Sequence, residues 1–244
     1  MDSKSKALIE QFKNREIKAK EIFSIKEIDK NTGWNFIKDY HYLADAKYFS
    51  MYDYGLFIED VLVGVASFSL PQGNVALKGW FSLPNTTKDI LELGRLCVLP
   101  ELNGSNATSF MLSNSIKKLK KDYNIRAVIT LADSSRHVGS IYQVCNFSYY
   151  GLTDKKSDFY REDGKKNPRG STKNSEGVWI ERTRKHRYAF IIDSKLECNY
   201  NKKEYPKSNE RLKTVCCNSS EVVYDKRFKK HYTCPLCTGK LEEV

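Results

Sequence analysis

The middle of the chain alternates between apolar runs of strand length and segments with helical periodicity. Residues 92–99 form a largely apolar run, and residues 107–121 place apolar side chains at helical spacing. Residues 125–131 are apolar with little interruption, as in a strand buried on both faces. A short helix over 137–145 and a strand over 147–152 complete the order. This order predicts an α/β core in which helices cover a sheet.

The residues before this core add further helices and strands. Residues 3–22 carry apolar side chains on one face and predict a charged amphipathic helix. A strand is predicted over 23–28, and Asp29 is placed to cap a second helix after it. Two apolar runs, 48–58 and 61–70, are separated by two residues, which predicts a hairpin.

The chain is basic. Of its 244 residues, 41 are Lys or Arg and 30 are Asp or Glu, which gives a formal net charge of +11. This balance favours polyanionic partners, such as nucleic acid, an anionic membrane surface or a phosphate-bearing cofactor. Residues 155–187 hold eleven Lys or Arg against five acids. That segment is either a phosphate-contacting surface or a solvated loop and charged ribbon.

Several protein classes conflict with this sequence. The N-terminus lacks the apolar region of a secretory signal, and the best apolar run, residues 61–70, is too short to cross a bilayer. Seven cysteines, an odd number, without an export signal argue against a disulfide framework. We therefore expect a cytoplasmic protein with no membrane partner.

A polar, cysteine-containing tail follows the predicted core. We place a domain boundary after residue 207. Residues 1–207 then form one large domain, the candidate catalytic domain, with a basic insertion near 154–187, and residues 208–244 form a small appendage. Within the tail, Cys234 and Cys237 have the spacing of a zinc knuckle. The candidates for the remaining ligands are Cys216 and Cys217, with Cys198 or His231 as alternatives. The tail thus predicts a zinc-ribbon-like module with structural Zn, or else a reduced tail without metal.

Two core motifs are similar to those of the Gcn5-related N-acetyltransferase (GNAT) superfamily. Residues 92–100 (ELGRLCVLP) match the strand before the pyrophosphate loop, and residues 103–107 echo that loop. Residues 141–151 (IYQVCNFSYYG) are similar to the second signature, with Asn146 where glycine is usual. The resemblance implies a GNAT-like mixed sheet flanked by helices, with donor phosphates held at a helix N-terminus. A generic α/β domain with a glycine-containing loop is the alternative.

Further motifs, taken in order, resemble the Mom family of phage DNA-modification proteins. They are YHY at 40–42, ELGRL at 92–96, LADS at 131–134, RHVGSIYQ at 136–143, NFSYYG at 146–151, DG at 163–164, PR at 168–169, KHRY at 185–188 and YPK at 205–207. The resemblance covers about residues 20–207. It implies a GNAT-like transferase that converts adenine in double-stranded DNA to an N6-methylcarbamoyl form. In that family, this change shields phage DNA from host restriction.

Transfer to the exocyclic amine of adenine needs an activated donor, a proton acceptor and stabilisation of developing charge. On this hypothesis Arg95 and the 103–109 loop hold the donor. Asp133 and His41 handle the amine proton, and Tyr142 assists as an acid. Tyr42 helps to hold the base, which must leave the duplex stack to be reached. Three polar residues of the loop and the following helix are the candidate donor contacts: Asn106, Thr108 and Ser109.

Each of these side chains also has a structural interpretation. Arg95 lies mid-strand, where a buried charge is costly unless it is paired, and Asp133 is a candidate partner. Asp133 can instead cap the helix that follows, and Tyr142 and His41 can be packed core residues. His41 and Asp133 together are a minor candidate for a metal site. The three polar residues of the donor loop can equally cap the central helix.

Two other functions stay open. The chain can be an ordinary GNAT acetyltransferase that uses acetyl-CoA on a protein or small amine, or a non-catalytic nucleic-acid-binding protein. The donor is undecided between acetyl-CoA and an aminoacyl-tRNA, in which case tRNA is a second partner. The candidate contacts with nucleic-acid phosphates are Arg136, Lys165, Arg169, Arg184, Lys185 and Arg187.

Overall fold

A computed structural model of the chain describes residues 3–42, 46–71, 76–84, 87–167 and 176–206. The chain divides into two compact units. The first unit comprises Met1–Thr130, Ile141–Ser148 and Tyr188–Lys202. The second comprises Leu131–Ser140, Tyr149–Arg187 and, within the described part of the chain, residues 203–206.

The described residues contain nine strands and six α-helices. The strands are β1 (Phe23–Ile28), β2 (Tyr52–Ile58), β3 (Val61–Ser69), β4 (Ile90–Val98), β5 (Ala127–Asp133), β6 (Ser148–Leu152), β7 (Ser157–Arg161), β8 (Gly177–Glu181) and β9 (Lys185–Ile191). The helices are α1 (Ser3–Lys13), α2 (Ala19–Ile22), α3 (Lys30–Tyr40), α4 (Ala76–Phe81), α5 (Ala107–Tyr123) and α6 (Ser140–Val144). A 3₁₀ turn, Pro100–Leu102, follows β4.

Seven strands form one sheet in the order β1-β2-β3-β4-β5-β9-β6, while β7 and β8 form a separate two-stranded ribbon. Strands β1 to β4 pair antiparallel, and β4 and β5 pair parallel. The chain is therefore a mixed α/β protein with a mostly antiparallel central sheet flanked by helices, as the sequence predicts. The predicted appendage, 208–244, lies outside the described residues, so the boundary at 207 stays a prediction.

Local sequence signals account for several of these elements. The Asp29 carboxylate accepts hydrogen bonds from the backbone N–H groups of Asn31 (2.9 Å) and Thr32 (3.1 Å), so it caps α3 as predicted. The β2–β3 hairpin turns at Glu59, whose φ is 52°. The hairpin prediction is confirmed, although β2 begins at Tyr52, four residues later than expected.

The prediction of one helix over residues 3–22 is wrong. Helix α1 ends at Lys13, and Arg15 adopts a left-handed backbone with φ of 64°. The α1 side chains that reach the core include Ile9 and Phe12, which are 4% and 6% exposed. A residue in the left-handed region ends a helix because the backbone cannot continue the helical hydrogen bonds through it.

The core of the first unit fixes helix α5. Four apolar side chains along one face of α5 have no exposed surface: Ala107, Met111, Leu112 and Leu119. Ala127 and Val128 of β5 are likewise 0% exposed, which confirms the prediction of a strand buried on both faces. Burial of each large apolar side chain contributes about 1.5–3 kcal/mol. The N-terminus of α5 is therefore held in place by the packing of the helix behind it.

Among the helices of the described residues, none has the length and apolar character needed to cross a bilayer.

Candidate active site

A β-bulge in β4 positions Arg95. Ser67 of β3 lies opposite Arg95, whereas the next residue, Phe68, lies opposite Leu93, so Gly94 is the extra residue. A bulge bends a strand locally and redirects the side chains beside it. The guanidinium folds back on this bulge, since its Nη1 donates to the Gly94 carbonyl at 2.8 Å. The bulge therefore fixes the position of the Arg95 side chain. The sequence alone predicts only that Arg95 lies in the middle of a strand.

Arg95 has its second contact with the segment that follows α3. Its Nη2 donates to the Lys47 carbonyl at 3.3 Å. Its Nε is buried and has no hydrogen-bond partner among the described residues. The ion pairs in the described part of the first unit involve other cations. A buried N–H without an acceptor is costly unless a ligand supplies one, so Arg95 is suited to bind a phosphate or an oxyanion.

Tyr48 anchors the same segment, although the sequence does not single it out. Its hydroxyl donates to Asp53 Oδ1 at 2.6 Å and lies 2.5 Å from Ser67 Oγ. Because the phenol proton goes to the carboxylate, the Ser67 hydroxyl donates to the phenol oxygen. Asp53 is 3% and Ser67 0% exposed. Burial, followed by Asp53, raises the pKa of Tyr48, so the phenol keeps the proton it donates.

The predicted trio at 40–42 lies where α3 ends. The His41 N–H still bonds the Ile37 carbonyl at 2.9 Å, and the His41 ring stacks on Tyr42 with centroids 4.4 Å apart. Cys97 Sγ of β4 donates to the Tyr40 carbonyl at 3.4 Å, and burial raises the pKa of this thiol to about 11. The trio is therefore tied to β4, and the Tyr42 ring, 51% exposed, is accessible to a base.

Tyr142 is both a packed residue and a candidate acid. It is 8% exposed, and its ring lies 5.7 Å from that of Phe147 and 5.4 Å from that of Tyr188, between centroids. Burial raises the pKa of its phenol, and the nearby Tyr42 acts in the same direction. The Thr130 side chain acts in the opposite direction and lowers this pKa. Tyr142 thus stays protonated at neutral pH, as a general acid must be.

The N-cap residue of α5 does not cap the helix with its side chain, and among the described residues Ser105 is the side chain that binds a first-turn N–H group. Asn106 occupies the N-cap position without a capping hydrogen bond, so the capping interpretation is wrong for this residue. The Ser109 hydroxyl donates to the Asn106 carbonyl at 2.8 Å, and Ser105 Oγ accepts from the Ala107 N–H at 3.3 Å. Gly104 precedes this turn with φ of 79° and open space around it. The arrangement leaves first-turn N–H groups, including that of Thr108, to bind an anion.

In the second unit, Asp133 organises the turn after β5. Its Oδ1 accepts from the Ser135 N–H at 3.0 Å and from the Ser135 hydroxyl at 2.7 Å. Its backbone carbonyl accepts from the N–H groups of Arg136 and His137 at 3.0 and 3.1 Å. Asp133 therefore caps a turn and not α6, because that helix begins only at Ser140. These bonds hold the carboxylate in a fixed position and use only one of its two oxygens.

His137 is a second titratable group in this turn that the sequence did not assign to the site. Its Nδ1 accepts from the Gly139 N–H at 3.2 Å, so the neutral ring carries its proton on Nε2. Burial lowers the pKa of His137, Asp133 opposes that effect, and Arg136 adds to it. The signal available in the sequence was its place in the motif at 136–143 beside Asp133.

The predicted phosphate contacts of the second unit fall into two groups. Arg184 Nε donates to the Thr153 carbonyl and Arg187 Nη1 to the Leu152 carbonyl, both at 2.6 Å. The Arg187 side chain is only 11% exposed and lies 3.7 Å from Asp154. These two arginines therefore hold backbone, whereas three other candidates are exposed: Arg136, Lys165 and Lys185. Arg169 lies outside the described residues.

The residues that the structure describes offer no support for a metal site. Within the described ranges, no group of three or more His, Cys, Asp or Glu side chains is arranged to hold a metal ion. Cys97, Cys145 and Cys198 are free thiols. The four predicted zinc ligands lie outside the described residues: Cys216, Cys217, Cys234 and Cys237.

The first unit thus combines a mostly antiparallel sheet, a bulged strand that carries Arg95 and a helix N-terminus whose N-cap residue makes no capping hydrogen bond. The model of the Mom protein family matches residues 22–207. The chain belongs to the Mom protein family. No curated protein sequence matches it significantly.

Several solved acetyltransferases are similar in structure. The ribosomal-protein-S18-alanine N-acetyltransferase from Escherichia coli aligns at 11% identity over 70% of this chain and 95% of its own, with a TM-score of 0.43. An acetyltransferase from Bacillus subtilis, in complex with CoA, aligns at 15% identity over 70% and 99%, with a TM-score of 0.43. Spermidine/spermine N-acetyltransferase from Vibrio cholerae aligns at 8% identity over 72% and 95%, with a TM-score of 0.44. At such scores these similarities alone define neither fold nor activity.

Proposed function

We propose that this protein is a transferase that modifies the N6 amine of adenine in double-stranded DNA, with a carbamoylmethyl group as the product. The family match over residues 22–207 carries the choice of substrate. The arrangement around Arg95 and Tyr142 supports the choice of chemistry. The product shields the DNA from restriction nucleases.

Each candidate side chain has a role that its surroundings suit. The buried Nε of Arg95 lacks an acceptor among the described residues and binds an anionic part of the donor. Tyr142, kept protonated by burial, gives its proton to the leaving group. Asp133 takes the single proton that N6 loses as the new N–C bond forms, and His41 is the alternative acceptor. The exposed Tyr42 ring stacks on the extruded adenine.

The donor is an activated acyl compound whose phosphates bind the first turn of α5. Attack of N6 on its carbonyl carbon forms the new N–C bond and breaks the bond from that carbon to the leaving group, which is the thiol of a CoA thioester or the ribose hydroxyl of an aminoacyl-tRNA. Transfer of a glycyl group gives an isomer of the carbamoylmethyl form, so a rearrangement that needs no oxidant or reductant completes the product. Asn106 does not cap that turn, and the Ser109 hydroxyl donates to the Asn106 carbonyl. Uncapped N–H groups at a helix N-terminus favour a phosphate. A CoA thioester and an aminoacyl-tRNA both present such phosphates, and a tRNA donor would additionally suit a chain with a net charge of +11.

Restriction of plasmid DNA from bacteria that express the protein tests this function. Nucleases with adenine in their recognition sites should fail to cut the plasmid, whereas a nuclease with a site of only G and C should cut it normally. Arg95→Lys keeps the charge but loses the fork of N–H donors, so protection should be lost. Arg15→Lys is the matched control at an exposed arginine and should keep protection. Complete cutting at every site with soluble wild-type protein would contradict the proposal.

A further inference from the structure

The ribbon formed by β7 and β8 exposes apolar side chains. Val178, Trp179 and Ile180 are consecutive in β8 and are 61%, 63% and 38% exposed. Within the described residues β8 pairs only with β7. An edge strand with three consecutive exposed apolar residues is an aggregation hazard unless a partner covers it. We therefore expect a binding partner to cover the exposed apolar side chains of β8.

The indole of Trp179 packs against an aromatic ring of β7. Phe159 of β7 is its cross-strand neighbour, and the two rings meet edge to face with centroids 5.3 Å apart. Phe159 is 8% exposed, so its ring is nearly buried. Because side chains alternate along a strand, Val178 and Ile180 lie on the opposite face. Trp179 is thus a large exposed ring whose position is set by its contact with Phe159.

The rim of this apolar surface is basic. Lys155 and Arg161 have side chains that are 72% and 44% exposed, and Lys165 is also exposed. At the surface, Lys155 lies 3.9 Å from Glu181 and Arg161 lies 3.5 Å from Asp163, and both acids are themselves exposed. The ribbon's most buried acid, Asp158, is 7% exposed and is neutralised internally by Lys166 at 2.6 Å and Arg182 at 3.6 Å. Protein interfaces are depleted in lysine, whereas phosphate contacts require lysine and arginine. The rim therefore favours nucleic acid over a protein partner.

We propose that the β7–β8 ribbon enters a groove of duplex DNA and that Trp179 stacks on bases of that duplex. This inference rests on the proposed function, since it assumes that duplex DNA is the substrate. A two-stranded ribbon fits the major groove, and apolar side chains wedge between base steps in proteins that distort DNA. Lys155, Arg161 and Lys165 then lie where phosphates flank the groove.

Equilibrium binding to a fluorescein-labelled duplex, followed by anisotropy at fixed salt, tests the ribbon. The variants are Trp179→Ala, Trp179→Phe and Val178→Ala. Val144→Ala is the matched control, because Val144 in α6 is 69% exposed and Val178 is 61% exposed. Each variant is first shown to be folded by circular dichroism and its melting temperature.

Trp179→Ala should weaken duplex binding roughly 5- to 150-fold, which corresponds to the ~1–3 kcal/mol of stacking one base on an aromatic ring. Trp179→Phe should retain most of the affinity, Val178→Ala should lose a few-fold, and Val144→Ala should bind like the wild type. Equal affinity of Trp179→Ala and wild type would overturn the proposal. So would a wild-type dimer in sedimentation velocity that Trp179→Ala dissociates without a change in DNA affinity.

Failure of the ribbon and failure of the proposed function give different results. If the wild type binds DNA through Trp179 but leaves adenine unmodified, the proposed function fails and the ribbon's role in DNA binding stands. If Trp179→Ala binds and modifies DNA like the wild type, the ribbon proposal fails and the proposed function stands.

Discussion

The Tyr48 hydroxyl donates a 2.6 Å hydrogen bond to the carboxylate of Asp53, a side chain that is only 3% exposed. Ser67, opposite Arg95 in the sheet register, holds the same phenol oxygen. Arg95 in turn binds the carbonyl of Lys47, the residue before Tyr48. The segment after the 40–42 trio is therefore fastened to the bulged strand from two sides, by a tyrosine and an arginine.

Replacing Tyr48 by Phe should remove the hydrogen bonds that the Tyr48 hydroxyl makes with Asp53 and Ser67. The buried Asp53 carboxylate loses a donor, and hydrogen bonds to charged groups contribute about 1.5–3 kcal/mol. We expect the free energy of unfolding to fall by about 2 kcal/mol in urea titrations. The cross-check is Gly33→Ala, whose new Cβ would lie 2.8 Å from Tyr48 Oη and should destabilise through the same cluster. Unchanged stability in Tyr48→Phe would show that the hydrogen bond contributes nothing net.

Tyr142→Phe separates the acid role of Tyr142 from its packing role. The substitution keeps the ring contacts with Phe147 and Tyr188 and removes only the phenol oxygen. If Tyr142 protonates the leaving group, DNA modification should fall by about 10²- to 10⁴-fold while the melting temperature changes little. Tyr188→Phe, which removes a hydroxyl bonded to Gln143 at 3.0 Å, is the control. Full modification by Tyr142→Phe would leave Tyr142 only its packing role.

His137 makes stability depend on pH in a defined direction. Burial lowers its folded-state pKa below the ordinary value of 6.5, so the unfolded chain takes up a proton first as pH falls. The stabilisation from the neutral ring is present above about pH 6.5 and is lost as pH falls toward the folded-state pKa. His137→Gln should therefore reduce the drop in melting temperature between neutral and mildly acidic pH. A profile with the same slope as wild type would mean that His137 does not titrate in this way.

The predicted zinc knuckle rests on sequence alone and is open to a direct test. Full-length protein purified without chelator should contain about one zinc per chain by plasma mass spectrometry, because two thiolates at this spacing are typical of a structural site. Cys234→Ser with Cys237→Ser should remove it, whereas Cys145→Ser, at a buried free thiol, should not. A metal-free wild type that folds normally would favour the reduced tail.

Elements with strong local signals were predictable from the sequence. The cap at Asp29 and the continuous apolar run of β5 are set by neighbouring residues, and both were predicted. The left-handed Arg15 that ends α1 was not, because its own residue type carries no such signal. Helix α4 lies where no helix was predicted.

The site was only partly predictable. Arg95 was selected for its position in an apolar strand, but the bulge at Gly94 depends on pairing with β3, which no local pattern reports. Tyr48 was missed because its partners, Asp53 and Ser67, become neighbours only when the hairpin folds against it. Asp133 was placed correctly at the end of β5, and its role in the turn depends on Ser135, two residues away.

The most direct test is nucleoside analysis of DNA from bacteria that express the protein. Plasmid DNA is digested to nucleosides and analysed by mass spectrometry, with Asp133→Asn and Arg95→Lys as parallel samples. The account predicts deoxyadenosine with the mass increment of one carbamoylmethyl group in the wild type and its loss in both variants. Unmodified deoxyadenosine from soluble, folded wild-type protein would contradict it.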